Sequence, residues 1–247
     1  MHRLLVEKSL LLQDEVTLPK EAAHHLKVLR PRPGEEIELF DGCGSTRVYH
    51  FNREASRLDT PQPMLSYPRP TVALTLFACV TKGSRWDWTI EKAVELGVSR
   101  LVPVISERSI VRLNAAERET KVERWRRVAE DAARQSDAVW LPEIVKPMDF
   151  DAAIALVREC GAVFAGVIAD TPPMPLLSAV LKVRKETPAV ASQGLGVFVG
   201  PEGDFSPSEL SALCACTIPT SFGPTILRAE TAAIFALSVL AAAIASE

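Results

Sequence analysis

Short apolar runs alternate with amphipathic stretches over the C-terminal two thirds of the chain. β-Branched and aliphatic residues dominate each run, as is typical of buried strands. In the amphipathic stretches apolar residues recur at helical spacing, for example Val122, Trp125 and Val128. Strands that alternate with helices predict an α/β fold with a parallel sheet and helices on its faces. The predicted strands are 71–80, 101–105, 140–145, 163–169 and 195–199, and the predicted helices are 84–96, 121–135, 150–160, 175–183 and 232–245.

The first sixty residues follow a different pattern, with one short helix among short strands. Residues 22–30 favour a helix that ends before Pro31. Residues 34–42 alternate apolar and charged side chains and then turn at Asp41-Gly42, and 46–51 supply a return strand. This pattern predicts a small, mostly β domain.

Prolines mark the boundary between these two parts. Thr60-Pro61-Gln62-Pro63 and Tyr67-Pro68-Arg69-Pro70 are typical of a stiff, extended linker. We therefore expect two domains, 1–67 and 68–247.

The stretch 195–210 has the clearest local chemistry. A buried strand, 195–199, is broken by Gly200 and Gly203, which can adopt backbone angles denied to other residues. Ser206-Pro207-Ser208-Glu209 then has the sequence of a helix capping box. Ligands of open α/β sheets bind where strands end in such loops. No Gly-Lys-Ser/Thr follows, so the loop is not a P-loop, and its glycine spacing differs from the dinucleotide-binding fingerprint.

Composition and charge add limits to this picture. The chain has 247 residues, 47% of them hydrophobic, and a net charge of −3, which argues mildly against a nucleic-acid partner. The range 141–247 contains six basic and eleven acidic residues, whereas 108–134 contains eight basic and five acidic residues. The latter range could form a basic surface or a solvated face of mixed charge.

The five cysteines and the N-terminus favour a cytoplasmic protein. No Cys-x-x-Cys pair or His/Cys/carboxylate cluster has the spacing of a metal site, so we expect no metal and free, buried thiols. No signal peptide precedes the first strand, and no run is long enough to span a bilayer.

Two motif regions together resemble one family. Val-Gly-Pro-Glu-Gly (199–203), Phe-Ser-x-x-Glu-Leu (205–210) and Ile-Leu-Arg-x-Glu-Thr-Ala (226–232) resemble the 16S ribosomal RNA (uracil-N3)-methyltransferases, of the SPOUT class of S-adenosylmethionine enzymes. His-His-Leu-x-Val-Leu-Arg (24–30) and the motifs within 82–112 extend the resemblance over nearly the whole chain. It implies an N-terminal PUA-like β-barrel that binds RNA, then a SPOUT α/β domain with a C-terminal trefoil knot. It also implies S-adenosyl-L-methionine as cofactor and 16S ribosomal RNA or the small ribosomal subunit as partner.

The resemblance assigns six residues to the cofactor pocket, and the three charged residues nearest the motif loops are the candidates for catalysis. The acceptor nitrogen of uracil carries a proton at neutral pH, so its methylation needs a base or a cation that stabilises the developing anion. We expect Arg228 to serve the reaction and Glu230 mainly to support the helix that follows. The pocket residues are Gly200, Gly203, Ile218, Phe222, Gly223 and Leu227, and the catalytic candidates are Arg228, Glu230 and Glu202.

The last helix suggests a homodimer. Residues 232–245 are apolar except for Ser238, and a helix that is apolar all round must be covered on all sides. A symmetric partner could cover one of them. A helix buried entirely within the monomer is the alternative.

Three departures from the family pattern leave other functions open. Asp204 stands where the family usually has a second glycine, and Ala138 and Thr225 stand where it commonly has arginine. The chain could therefore be a non-catalytic RNA-binding or ribosome-assembly factor with a decayed methyltransferase domain. It could also be a small-molecule enzyme or binder that uses the glycine loop to hold a phosphate.

Overall fold

The chain divides into two compact units in a computed structural model that describes residues 1–54 and 57–245. The first unit contains Met1–Arg69 together with Glu130–Leu141, and the second contains Pro70–Ala129 and Pro142–Glu247. Nothing in the sequence pattern indicated that 130–141 would group with the first 69 residues. The domain limits 1–67 and 68–247 stay a prediction.

The first unit is built on a five-stranded mixed sheet of order β1-β2-β3-β4, with β5 paired to β3. β1 and β2 are parallel and the other pairs are antiparallel. The hairpin predicted at Asp41-Gly42 is present, because the Asp41 carboxylate accepts hydrogen bonds from the backbone N–H groups of Cys43 (2.8 Å) and Ser45 (2.9 Å). The elements are β1 (His2–Leu5), α1 (Lys8–Leu11), α2 (Lys20–Leu29), β2 (Glu36–Phe40), β3 (Ser45–Asn52), β4 (Arg57–Asp59) and β5 (Leu65–Ser66).

Segment 130–141 is held in the first unit by specific contacts. The buried Arg3 guanidinium donates to the carbonyl of Ala133 at 2.9 Å. The Trp140 indole N–H donates to the carbonyl of Pro68 at 3.1 Å, and its ring covers Gly44, whose φ of 88° favours glycine. These contacts join residues 70 or more positions apart, so the sequence pattern does not reveal them.

The second unit contains a parallel sheet of order β12-β10-β11-β6-β7-β8, with β9 also paired to β7. The predicted alternation of strands and helices is confirmed. The elements are β6 (Leu74–Cys79), α3 (Ser84–Glu95), β7 (Arg100–Ile105), α4 (Ala115–Gln135), β8 (Glu143–Ile144), β9 (Met148–Asp149), α5 (Phe150–Leu156), a 3₁₀ turn (Val157–Glu159), β10 (Ala162–Gly166), α6 (Leu176–Glu186), α7 (Pro188–Ala191), β11 (Leu195–Val199), α8 (Pro207–Cys216), β12 (Ile218–Thr220) and α9 (Ala229–Ala245).

Several element limits differ from the prediction for local reasons. Helix α4 begins six residues earlier than predicted, because the Asn114 and Glu117 side chains each accept a hydrogen bond from the other's backbone N–H. The strand predicted at 140–145 shortens to β8, since Trp140 belongs to the first unit. β12 has only three residues, one of which is Pro219. It is therefore too short to show the hydrophobic periodicity by which a strand is predicted.

The parallel arrangement places the carboxyl ends of these strands at one edge of the sheet. β12, β10 and β11 are neighbours and end at Thr220, Gly166 and Val199. β6 and β7 continue the same edge and end at Cys79 and Ile105. The loops that leave these five strands therefore meet along one edge. The trefoil knot stays a prediction.

Helix α9 is buried on one side and partly exposed on the other. Ala233, Ala236, Leu237 and Leu240 are buried, whereas the Phe235 side chain is 39% exposed. The alternative to a dimer, a helix buried entirely within the monomer, therefore does not hold for Phe235. Among the described residues, no helix is long and apolar enough to cross a membrane.

The cysteines differ from the sequence expectation. All five are free thiols. Cys79 is buried, but Cys43, Cys214 and Cys216 are exposed, so the expectation of buried thiols is wrong for these three. Cys214 and Cys216 both lie on the exposed surface of α8. Two cysteines two residues apart do not indicate from the sequence alone whether they are buried.

Candidate active site

A cavity of about 440 Å³ lies at the carboxyl edge of the parallel sheet, within the second unit. Three chain segments line it, and each follows one of three neighbouring strands. The strand order β12-β10-β11 thus brings together loops that are far apart in sequence. The lining residues are 166–169 and Pro172 after β10, 199–202 and Asp204 after β11, and 221–229 and Ala232 after β12.

The loop after β11 is a tight turn stabilised by its own backbone. The Asp204 N–H donates to the carbonyl of Pro201 at 3.0 Å, and the Asp204 carboxylate accepts from the N–H of Phe205 at 2.8 Å. Asp204 has a φ of 60°, in the left-handed region that glycine occupies without strain and aspartate tolerates best among charged residues. The glycine of the family pattern and the aspartate of this chain therefore satisfy the same backbone requirement. Asp204 also adds a carboxylate to the cavity lining.

Gly200 is required for packing beneath the loop. A Cβ atom at this position would lie 2.9 Å from Cε2 of Phe205. Phe205 is buried and packs edge-on against Phe198, with ring centroids 5.8 Å apart. A side chain at Gly200 would thus collide with the core ring, even though the glycine backbone itself lines the cavity.

The segment after β10 was missed by sequence reasoning. The Phe222 ring lies directly against Gly166, where a Cβ atom would overlap it. Phe222 also contacts Phe235 of α9, with ring centroids 6.0 Å apart. The sequence did indicate a loop of this kind, because 163–166 is an apolar run that ends in glycine, as 195–200 is.

The structure separates the six predicted pocket residues into two groups. Four of them, Gly200, Phe222, Gly223 and Leu227, line the cavity. Gly203 and Ile218 do not belong to its lining. Gly203 lies beside Arg108, whose Cβ would be 3.4 Å from a Cβ added at Gly203. Ile218 is a residue of β12 and pairs with Phe164 of β10.

The three charged candidates also occupy different environments. Glu202 and Arg228 line the cavity, and Glu230 does not. The Glu202 carboxylate forms an ion pair with the Arg85 guanidinium at 3.4 Å. Arg228 is exposed and directly precedes α9, and its carbonyl accepts the helical hydrogen bond from Ala232 at 2.8 Å.

Glu230 is a buried residue of the first turn of α9. Its side chain belongs to the helix core face, with 6% of the residue exposed. Within the part of the chain that the structure describes, its Oε2 atom has no hydrogen-bond partner. The geometry therefore gives Glu230 a place in the helix and no place in the cavity lining.

Cys79 is the buried thiol at the end of β6, and it is not a candidate nucleophile. Burial raises the pKa of the Cys79 thiol to about 12, against a smaller lowering by the hydroxyl of Ser106. The thiol is therefore protonated at neutral pH. No group of three or more histidine, cysteine or carboxylate side chains suited to a metal ion occurs among the described residues.

The cavity suits a nucleoside-type cofactor such as S-adenosylmethionine. Backbone at Gly200 and Gly223 allows close approach of a ligand, and Phe222, Leu227 and Ile226 supply apolar surface. Glu202, Asp204 and Arg228 add charges of both signs, which a zwitterionic cofactor can use. A parallel α/β unit with such a cavity, joined to a small mixed-sheet unit, defines the class of two-part α/β enzymes that bind a nucleoside cofactor at the sheet edge.

Sequence comparison assigns the family within this class. A model described as an RNA methyltransferase domain matches residues 68–241, and one described as an RNA methyltransferase PUA domain matches residues 18–52. The chain belongs to the RNA methyltransferase family. A relative from Synechocystis, named Ribosomal RNA small subunit methyltransferase E, is 31% identical, with 99% of this chain and 78% of the relative covered. A relative of the same name from Mycobacterium bovis is 31% identical, with 89% and 83% covered.

Solved structures agree with this assignment. A Ribosomal RNA small subunit methyltransferase E from Neisseria gonorrhoeae, bound to S-adenosyl methionine, superposes with a TM-score of 0.79 at 28% identity, covering 97% of this chain and 96% of that one. A Legionella pneumophila protein with the bound cofactor SAM has a TM-score of 0.77 at 27% identity, covering 98% and 97%. The predicted family and the predicted fold, a SPOUT α/β unit with a PUA-type unit, are confirmed.

Proposed function

We propose that this protein transfers a methyl group from S-adenosyl-L-methionine to N3 of a uridine in 16S ribosomal RNA. The observation that carries the proposal is a cavity lined by residues of both family motifs, 199–203 after β11 and 226–232 after β12. The relatives named small subunit ribosomal RNA methyltransferases, and the neighbour bound to S-adenosyl methionine, support the substrate and the cofactor.

The chain's own residues would bind and orient the cofactor. The cofactor supplies a methyl group on a sulfonium, which is already electrophilic, so the protein needs chiefly to position it and to exclude water. The backbone of Gly200 and Gly223 would face the adenosyl group, and the Phe222 and Leu227 side chains would cover it. Gly203 and Ile218 would support these loops from outside the cavity.

Arg228 would supply the charge that the acceptor base needs. The N3 atom of uracil loses its proton as the bond to the methyl carbon forms, and the negative charge spreads over the ring. A guanidinium at the cavity wall stabilises that charge, and Glu202 keeps Arg85 as its partner instead of neutralising Arg228. Asp204 and Glu202 are the carboxylates in the lining that could accept the proton.

The small mixed-sheet unit would hold the RNA while the second unit modifies the base. A base within folded RNA must leave its stack to enter a pocket of this kind. Contacts to the backbone position the substrate, and the pocket reads the base. We place this activity in the cytoplasm, where small ribosomal subunits are assembled.

We also propose a homodimer through α9 and the adjacent α6. Leu177 and Leu181, one turn apart on α6, are 50% and 48% exposed, and Phe235 of α9 is exposed as well. Apolar side chains spaced four residues apart on a helix form a continuous stripe, and a symmetric copy of the chain would cover it.

Mass spectrometry of ribosomal RNA tests the proposed reaction. We expect 16S RNA from a strain lacking this protein to lose one N3-methyluridine, and purified protein with cofactor to restore it on RNA or small subunits from that strain. An unchanged nucleoside profile, together with binding of the protein to small subunits, would favour the non-catalytic assembly factor. A profile restored only on intact subunits would identify the assembled particle as the substrate.

A further inference from the structure

The turn after β7 carries cations at the same sheet edge as the cavity. We define the arginine turn as residues 106–112, which contain Arg108 and Arg112. The cavity occupies the β12-β10-β11 part of the edge, and the loops after β6 and β7 occupy the adjoining part. These loops and the first turn of α3 contribute Lys82, Arg85, Arg108 and Arg112, against the carboxylates of Asp87 and Glu107.

Buried hydrogen bonds make the arginine turn rigid. The hydroxyls of Ser106 and Ser109, both buried, lie 2.8 Å apart, and the Ser109 hydroxyl accepts from the backbone N–H of Ser106 at 3.0 Å. The Arg112 guanidinium donates to the carbonyl of Ser106 at 3.0 Å and to that of Glu107. The backbone that presents Arg108 is thus fixed before any ligand arrives.

Glu209 fastens this turn to the cavity loop. Its residue is only 8% exposed, and both carboxylate oxygens are used. One accepts from the backbone N–H of Glu107 at 2.8 Å, and the other accepts from the N–H of Ser206 at 3.0 Å. Glu209, which completes the capping box of α8, therefore also joins two loops separated by about a hundred residues, the arginine turn and the loop 200–206.

Arg108 and Arg112 keep their positive charges available. The Arg108 guanidinium donates to the carbonyl of Gly203 at 3.3 Å, and the Arg112 guanidinium donates to carbonyls as well. Over the ranges 1–54 and 57–245, neither forms an ion pair with a carboxylate. Arg85, in contrast, is paired with Glu202. Both residues are exposed, and a planar guanidinium with free N–H groups suits a phosphate.

We infer that the arginine turn is a docking site for the phosphate backbone of the substrate RNA, next to the nucleotide whose base enters the cavity. Arg108 makes the direct phosphate contact, and Arg112 and Glu209 position it. This inference rests on the proposed function, since RNA is the polyanion that function brings to this edge. Because the chain has a net charge of −3, binding of a polyanion requires a local group of cations.

Salt-dependent binding of 16S ribosomal RNA transcribed in vitro tests the inference without any methyl transfer. We expect Arg108→Ala to weaken binding by about threefold to tenfold, and to reduce the slope of log K against log salt concentration by about 0.7–0.9, one phosphate contact. Arg108→Lys should keep most of the affinity and the slope, and Arg108→Glu should lose more than Arg108→Ala. Arg126→Ala is the matched control, because Arg126 is an exposed arginine of α4 paired with Glu123.

Two further measurements separate this inference from the proposed function. Cofactor affinity by calorimetry and the melting temperature should be unchanged in Arg108→Ala, so a fall in either would assign the residue a structural role and overturn the inference. Wild-type affinity and salt slope in Arg108→Ala and Arg108→Glu would also overturn it, even in an active enzyme. A wild-type protein that shows the Arg108-dependent salt slope but transfers no methyl group would instead contradict only the proposed reaction.

Discussion

Arg228 and Glu230 are two residues apart, yet one is exposed and the other is buried. Arg228 is exposed at the start of α9 and lines the cavity, where the positive end of the helix dipole disfavours a cation. Glu230 is buried in the first turn, where the same dipole favours a carboxylate. A residue that opposes a local preference at a cavity wall is a candidate for function, and one that satisfies it has a sufficient structural reason.

The proposed roles predict different effects of substitution. Arg228→Ala should lower single-turnover methyl transfer by about 100-fold to 1,000-fold, as expected for loss of one group that stabilises a developing anion. Its cofactor affinity and melting temperature should stay near those of the wild type. Glu230→Gln should lose about 0.3–1 kcal/mol of stability before it loses activity. Near wild-type transfer by Arg228→Ala, or inactivity of Glu230→Gln alone, would show that the roles are wrongly assigned.

At the scale of elements, α8 connects local capping with the tertiary structure. Ser206 caps the helix and Glu209 completes the capping box, as the sequence indicated. The additional bond from Glu209 to the N–H of Glu107 links α8 to the loop after β7. One carboxylate therefore stabilises a helix end and the geometry of two loops at the sheet edge.

Substitutions in α8 should reveal both contributions. Ser206→Ala should lower the free energy of unfolding by about 1 kcal/mol, the usual cost of losing an N-cap side chain. Glu209→Ala should cost more, because it leaves two backbone N–H groups without their acceptor, at about 1–3 kcal/mol for each one that stays buried. Ser211→Ala, at an exposed position of the same helix, is the control and should change stability by less than about 0.5 kcal/mol. Denaturant unfolding measures all three, and equal costs for Ser206→Ala and Glu209→Ala would mean that the bond to Glu107 contributes little.

At the scale of the whole molecule, the exposed stripe on α6 and α9 determines the expected oligomeric state. Leu177 and Leu181 are half exposed beside α9, which itself presents Phe235. Large apolar side chains grouped in this way usually mark an interface. The remaining faces of α9 pack on α3, α6 and the sheet, so the proposed second chain would cover only this stripe.

Light scattering at micromolar concentration should therefore show a dimer for the wild type. Leu181→Glu should shift it to monomer, since a charge placed in an apolar interface loses its hydration without gaining a partner. Val28→Glu serves as the control, because Val28 is an apolar residue of α2 in the first unit and is 67% exposed. A monomeric wild type, or equal dissociation by both variants, would reject the interface.

The sequence by itself determined the features that depend on neighbours along the chain. The alternation of strands and helices predicted the parallel sheet, and 195–199 matches β11 residue for residue. The Ser206–Glu209 spacing predicted the capping box, and two spaced motifs predicted the family. These features are local because hydrophobic periodicity, caps and glycine turns act within a few residues.

Only the tertiary structure decided which distant residues meet. The strand order placed 166–169 beside the two motif loops and left Ile218 outside the cavity. Packing also grouped 130–141 with the first unit. The same folding brought Glu209 to Glu107 and Arg108 to Gly203. Such pairs join segments about a hundred residues apart, and no periodicity within a segment specifies them, because strand order follows from how all the helices and strands pack together.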